Sequence, residues 1–349
     1  MADPIYDIPD NPTYNPEIRK LQDMDRAHAS TVFNPLIQQM ADNTHYLKLG
    51  QDAVDAQLRG IAHHVYTGFG TDLAVKHASE IAGFSSVWEW IQARIREGYF
   101  GGIGIGDYIQ LLASDGNEFL MEVAGINTYK GYGDTEVGNH IDFISRDCHP
   151  LAGEAARMNR VTYNNGTTES PSPWLASELH KWLNSLQGEV PNATTAGGTP
   201  LVAVDYMTTG VWDKLPQALR DVIVQKRLLL PSRYTAGSLL IDDNNFAWAD
   251  AGLLWIPFEM EVYGTNVWGS LVPLNPGYSV GGFQQYPLFA HNMKRVKGAG
   301  NGGTRTNWWL GSARGGNSTS FVTVYSTGYA SSPSASAAGI RAPLCFRIA

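Results

Sequence analysis

The sequence is short of charge. Only 17% of its 349 residues are Asp, Glu, Lys or Arg, against about 25% in an average soluble domain. The 25 basic and 33 acidic side chains leave a formal charge of −8, and no long Lys/Arg run is present. Binding a phosphate backbone needs a concentrated basic footprint, so nucleic acid is excluded as the expected main partner. Cysteine is scarce as well. Cys148 and Cys345 are too few for a disulfide scaffold and have no zinc or redox spacing, so both are expected to be buried thiols. No stretch approaches the roughly 18 continuous apolar residues of a membrane span, and no membrane insertion is expected. The opening residues MADPIYDIPDNPTYN lack the basic and apolar regions of a secretory signal. The chain is therefore expected to be made in a cytoplasm and to reach any outside location by another route. What it does have is 37 Gly, 10 Trp and 16 Tyr, with 43% apolar residues. That is enough for a sizeable core under a polar, weakly charged surface, and it excludes global disorder.

Met1 to Glu17 contain four prolines and no helical or strand period, which predicts an extended arm of the kind that lies on a neighbour. Phe33, Met40, Leu47, Val54 and Ile61 then recur every seven residues, with Ile37 and Leu58 in the other half of the heptad. This is a coiled-coil seam, weakened by Thr44, Gln51 and Gly50. Asn34-Pro35 is a helix start. A helix packed on its own domain would show a similar stripe, but the combination of arm and heptad favours self-association. A second helix is predicted over Ser86–Glu97, with Val87, Trp88, Ile91 and Ile95 on its apolar face and Gly98 as its stop. Ile103–Leu112 and Glu118–Ile126 read as a hairpin turning at Ser114–Asn117. Helices are predicted over Trp174–Leu186 and Pro216–Lys226, and short strands from Leu253 to Ala349. The division is placed near residue 98, giving an N-terminal helical attachment region, residues 1–98, and one large α+β domain, residues 99–349.

Chemistry-bearing motifs are sparse. His140-Ile-Asp142 and Asp147-Cys-His149 could serve a metal or an acid/base pair, or could be satisfied polar residues on a core strand beside Phe143 and Ile144. Asp242-Asp-Asn-Asn245 offers oxygens of the kind calcium prefers, but it lacks the spacing of a calcium loop and serves equally as a turn. Gly102-Ile-Gly-Ile-Gly106 precedes a strand rather than a helix, so it is not a dinucleotide loop. His63-His64 has no partner spacing. No nucleophile elbow, zinc-protease helix or phosphate loop is present. No catalytic residue, metal ligand or cofactor is assigned. A carboxylate pair for glycoside hydrolysis needs no sequence proximity and stays open.

Between Asn307 and Ile340 the only charged residue is Arg314. In Ser318–Tyr325, Val322 and Val324 alternate with Thr319, Phe321, Thr323 and Tyr325, so one face is expected in a core and the other in solvent. Aromatics among small hydroxyls are the composition of binding loops. A weakly charged domain edge would look similar.

The runs Asn307-Trp-Trp-Leu-Gly-Ser312 and Gly339-Ile-Arg-Ala-Pro-Leu-Cys-Phe-Arg-Ile348 close the chain. Upstream, in order, stand Gly106-Asp-Tyr-Ile, His140-Ile-Asp-Phe-Ile-Ser145, Ser177-Glu-Leu-His-Lys-Trp-Leu-Asn184 and Leu228-Leu-Leu-Pro-Ser232. Together they resemble, over about residues 100–349, a domain family common in bacterial prophages. That family ends in Trp-Trp-Leu-Arg-Ser and Gly-Val-Arg-Pro-Ala-Leu; here Gly311 replaces the Arg, and Ala342-Pro343 reverses the Pro-Ala order. The family is similar to C-type lectin-like proteins, among them phage tropism determinants and targets of diversity-generating retroelements, in which a β-rich scaffold displays a C-terminal ligand face. Asn34-Pro-Leu-Ile-Gln38 and Asp42-Asn-Thr-His-Tyr-Leu-Lys48 resemble stretches that precede the display domain in phage tail or baseplate proteins.

The resemblance implies an α+β chain: a C-type lectin-like β-rich domain with packed helices, preceded by a helical oligomerisation and attachment region. The implied function is that of a phage virion receptor-binding protein without catalysis, expected as a homotrimer among other tail proteins and binding a bacterial surface glycan or protein. Virions leave by lysis, which would account for the missing signal. Arg314, Asn317, Ser318, Phe321, Thr323, Tyr325 and Tyr329 are the expected ligand contacts, with Trp308 and Trp309 as scaffold. The alternatives are a decoration or collar protein, and a cell-envelope glycan hydrolase using acids such as Asp142 and Glu178.

Overall fold

The computed structural model describes residues 34–67, 70–152, 156, 158, 172–187, 205–231, 246–269, 283–315 and 320–349. The proline-rich arm and Asp242–Asn245 lie outside them. Two compact units are present, Met1–Ala62 and His63–Ala349. The division therefore falls well before the expected residue 98, and the helix ahead of Gly98 belongs to the larger unit.

Of the heptad residues, Phe33 lies outside the described residues and the others fall on one long helix, α1 (Asn34–Thr67). Gly50 does not interrupt it. Met40, Leu47 and Val54, successive positions of the seven-residue repeat, are exposed, while Gln38 reaches Asp42 one turn on at 2.8 Å.

The larger unit opens with two single-turn helices, α2 (Leu73–Lys76) and α3 (Ala78–Ile81). In α4 (Val87–Glu97), Ser86 Oγ accepts the Glu89 N–H and Gly98 closes the helix at φ 68°. These are the N-cap and left-handed stop that the sequence supplies. Its apolar face drives Trp88 edge-on against Phe143 and Phe346, with centroids at 6.0 and 5.7 Å. Strands β1 (Tyr108–Leu112) and β2 (Glu118–Ile126) form the expected hairpin, with Leu112 opposite Glu118. The first strand starts at Tyr108, later than expected, and ahead of it the backbone at Gly106 lies against Gly70, where a Cβ would sit 1.8 Å from the Gly106 carbonyl. β3 (Ile141–His149) pairs next to β2.

The helix expected over Trp174–Leu186 is broken into α5 (Pro173–Ala176) and α6 (Glu178–Leu183). Ser177 between them is extended, and its Oγ accepts the His180 N–H at 3.1 Å, starting α6 afresh. The helix expected over Pro216–Lys226 is only the single turn α7 (Gln217–Arg220). The β-branched pair after it forms β4 (Ile223–Val224) instead. β5 (Arg227–Pro231) pairs with β6 (Phe246–Asp250). The short-strand reading of the remainder misses α8 (Glu259–Tyr263) and two 3-10 turns at Pro287–Ala290 and Asn292–Arg295. β7 (Lys297–Gly298) then pairs with β8 (Arg305–Thr306), followed by β9 (Trp308–Ala313), β10 (Phe321–Val324), β11 (Ala330–Ser331) and β12 (Ala342–Ile348).

The main sheet runs β1-β2-β3-β12-β4, and every pairing in it is antiparallel. A smaller sheet runs β9-β10-β11. The class is α+β. The C-terminal strand is interior to the main sheet, and all seven of its residues are buried.

Candidate functional site

Of the residues expected to meet a ligand, Tyr325 and Tyr329 reach solvent, at 38% and 56% exposure. They flank a tight turn closed by Tyr325 N–H to Tyr329 O at 2.8 Å and Gly328 N–H to Tyr325 O at 2.7 Å. Gly328, at φ 98°, takes a conformation open to glycine. The two rings stack at 4.7 Å and 22°. Phe321 and Thr323 are buried, at 0% and 1% exposure, which corrects the expectation that their face meets solvent. β10 is the middle strand, with Ala313 and Trp309 of β9 beside Phe321 and Thr323 and with β11 on the other edge. Both of its faces are covered, so the strand's alternation does not sort inside from outside. Asn317 and Ser318 lie outside the described residues.

Arg314 is half-buried, and its guanidinium carbon lies 4.9 Å from the ring centroid of Trp268. The Trp268 ring is 40% exposed. Its Nε1–H donates to the carbonyl of Ala330, next to Tyr329, at 3.2 Å. Trp268 thus joins Arg314 and the tyrosine pair through the backbone of β11. Sequence reading missed it; the available signal was a lone indole in the Gly264-Thr-Asn-Val-Trp-Gly269 loop.

The platform is tied down from beneath. Glu259 is fully buried and accepts the N–H groups of Trp268 and Gly269 at 2.9 and 2.6 Å. Burial raises its pKa above the ordinary carboxylate value against the pull of these backbone donors. Tyr263 donates to the Gly328 carbonyl at 3.0 Å and carries Arg295 over its ring at 4.8 Å. Asn307 Oδ1 accepts the Ser326 N–H at 2.8 Å. Trp308 and Trp309 are buried scaffold, with Trp308 Nε1–H bonded to the Arg295 carbonyl at 2.8 Å. Gly311, where the prophage pattern has Arg, lies against Phe258; a Cβ there would meet that ring at 2.7 Å.

The acids considered for hydrolysis sit elsewhere. Asp142 is bound by Arg347 through two N–H···O bonds of 2.7 and 2.8 Å and accepts from the Tyr286 hydroxyl at 2.9 Å. Tyr286 accepts in turn from Lys226 Nζ at 2.6 Å, and Lys226 is ion-paired with Glu261, to which Tyr129 also donates. Two cations and two carboxylates thus close a neutral, fully buried network. Burial alone would raise the Asp142 pKa, but the Arg347 charge outweighs it and brings it down to about 2. A carboxyl without solvent access or a proton near neutrality is no general acid. Glu178 is also buried. His140 accepts the Tyr129 N–H on Nε2 at 3.1 Å and contacts the Gly138 carbonyl through Nδ1 at 2.8 Å, so both ring nitrogens are occupied structurally. Asp147 accepts the N–H groups of Gly298 and Gly302. Both cysteines are buried and free. Among the described residues, no three His, Cys, Asp or Glu side chains converge to hold a metal ion, and no helix is long and apolar enough to cross a membrane.

Neither the curated proteins nor the solved structures contain a match to this chain. A family model matches residues 151–348. It begins after β3, so three strands of the main sheet precede the matched region, and it includes Trp268, Arg314 and the tyrosine turn. The match covers more than half of the sequence, and the chain belongs to the family described as a domain of unknown function, DUF6273.

Proposed function

We propose that this chain is a receptor-binding protein of a phage or prophage tail, displaying Trp268, Arg314, Tyr325 and Tyr329 to a bacterial surface glycan or protein without performing chemistry on it. The observation that carries this reading is the stacked, exposed Tyr325–Tyr329 pair beside a half-exposed indole and a guanidinium, in a segment otherwise almost free of charge. Rigid aromatics give contact area at little entropic cost, and one Arg adds hydrogen-bond donors; this is how binding loops are composed. A scaffold whose last strand returns into the main sheet while the preceding segment presents the aromatics supports the lectin-like reading. The open heptad face of α1 supports assembly as a homotrimer on the virion, where repeated weak sites gain avidity.

The test is adsorption of the labelled full chain to a panel of bacterial cells and to purified cell walls. Saturable binding that is lost on Tyr325→Ala with Tyr329→Ala supports the reading. Sugar release from the walls, or adsorption unchanged in the double variant, overturns it.

A further inference from the structure

A cavity of about 230 Å³ lies where the β1–β2 turn, the end of β3 and α6 meet, and it shares no residue with the aromatic platform. His149 and Trp182 line it together with, among others, Asp115, Tyr206, Thr209 and Lys214. Drug-sized ligands occupy roughly 300–1,000 Å³, so the space suits a single ring.

His149 defines the chemistry. The imidazole is 2% exposed and held between Phe119 at 5.4 Å and the edge-on indole of Trp182 at 4.9 Å. Its Nδ1 accepts the Leu151 N–H at 3.1 Å. A neutral ring that accepts on Nδ1 carries its proton on Nε2. Burial keeps the ring neutral near pH 7, pulling its pKa down to about 4. Among the described residues none accepts the Nε2 proton, so the ring presents a donor without a protein partner to the open space of the cavity.

The wall adds matched polarity. Lys214 uses one N–H on the Thr208 carbonyl at 3.0 Å and has two more to give. Asp115 accepts from Asn117 N–H and Nδ2 at 3.1 and 2.9 Å, one bond on each oxygen, which leaves a lone pair free on both. The two charges cancel. A carboxylate ligand would face Asp115, and an amine would face Lys214 and the His149 donor. A ring bearing hydroxyls can both give and accept, and its C–H face suits an indole or phenol wall.

We infer that this cavity binds one neutral sugar ring, with His149 Nε2–H and Lys214 donating to its hydroxyls and Asp115 accepting from them. The site is separate from the proposed receptor face and stands whether or not that reading holds.

The test is a titration of the full chain, with ¹⁵N-labelled histidine, by glucose, galactose and N-acetylglucosamine. A single ring with few polar anchors binds at on the order of millimolar. At least one sugar should shift the His149 nitrogen resonances saturably while the Nε2–H tautomer persists. Asp115→Asn keeps an oxygen to accept the Asn117 N–H, and Lys214→Met removes only an ammonium; each should weaken binding about tenfold. Tyr325→Ala with Tyr329→Ala should leave it unchanged. The inference is overturned if no sugar moves these resonances, if acetate or methylamine saturates the site in place of sugars, or if both wall variants bind sugar as tightly as the parent.

Discussion

Arg347 holds Asp142 through parallel bonds from Nε and Nη2, at 2.7 and 2.8 Å, at a point where neither side chain is more than 2% exposed. The pair joins β12 to β3 across the middle of the main sheet, and Tyr286 connects it to Lys226 and Glu261. Breaking a buried pair from one side leaves an uncompensated charge, whereas replacing both members by apolar residues need not. Arg347→Met should therefore lower unfolding stability by about 3–5 kcal/mol, and Arg347→Met with Asp142→Leu should recover most of that loss in urea titrations. Equal loss in the single and double variants would contradict this account.

Stability should fall with acid in two stages. Burial lowers the pKa values of His149 and His180 from 6.5 to about 4. Below pH 6.5 the unfolded chain takes up these protons before the folded one. Their contribution is therefore complete above about pH 6.5 and disappears by about pH 4, at about 3 kcal/mol for each ring. Asp142, depressed from 3.8 to about 2, adds a further loss between those values as the pH falls through them. Thermal melts from pH 7 to pH 4 should show the first decline, and His149→Phe with His180→Leu should flatten it. A parent melting temperature constant over this range would refute the assignment.

Phe321 and Tyr329 separate structure from binding. Phe321→Ala empties a fully buried site and should cost about 3–5 kcal/mol. Tyr325→Ala and Tyr329→Ala alter exposed rings and should change stability by about 0.5 kcal/mol or less, while reducing adsorption at least tenfold. Denaturant midpoints measured beside cell binding distinguish the two effects.

The contrast marks what the residues alone disclose. α4 was legible because the Ser86 cap, the 3.6-residue apolar period and the Gly98 stop agree. The β1–β2 hairpin was legible because alternation and turn chemistry agree. Where local signals compete, packing decided: Ser177 caps a new helix inside an apolar stripe, and Ile223-Val224 joins the end of β12 rather than prolonging α7. In β10 the period was plain, but whether Phe321 faces solvent depends on what covers the strand. Trp268 had only a lone indole in a loop as its signal, since its place is set by Glu259 in another element. The Lys226–Glu261 and Asp142–Arg347 pairs link residues 35 and 205 positions apart, which no spacing rule reaches.

Glu259 is a positioning residue for the platform. Its two oxygens accept the N–H groups of Trp268 and Gly269, and an amide in its place can accept only on its oxygen. Glu259→Gln should therefore raise hydrogen exchange at Trp268 and Gly269 and weaken surface binding several-fold, with the tyrosine turn unchanged. Protection at both amides equal to that of the parent would show that the loop holds itself.

The exposed seam of α1 provides the last test. Met40, Leu47 and Val54 recur every seven residues and present side chains that are half or more exposed, a stripe that self-association through a coiled coil would cover. If three copies meet there, Met40→Glu with Leu47→Glu and Val54→Glu places like charges in the seam. The full chain should then change from trimer to monomer in light scattering, while the melting transition of the unit His63–Ala349 stays in place. Cell adsorption should fall more steeply than the affinity of any single site, because avidity is lost with the trimer. A parent chain that scatters as a monomer, or a triple variant that remains trimeric, would remove α1 from the assembly.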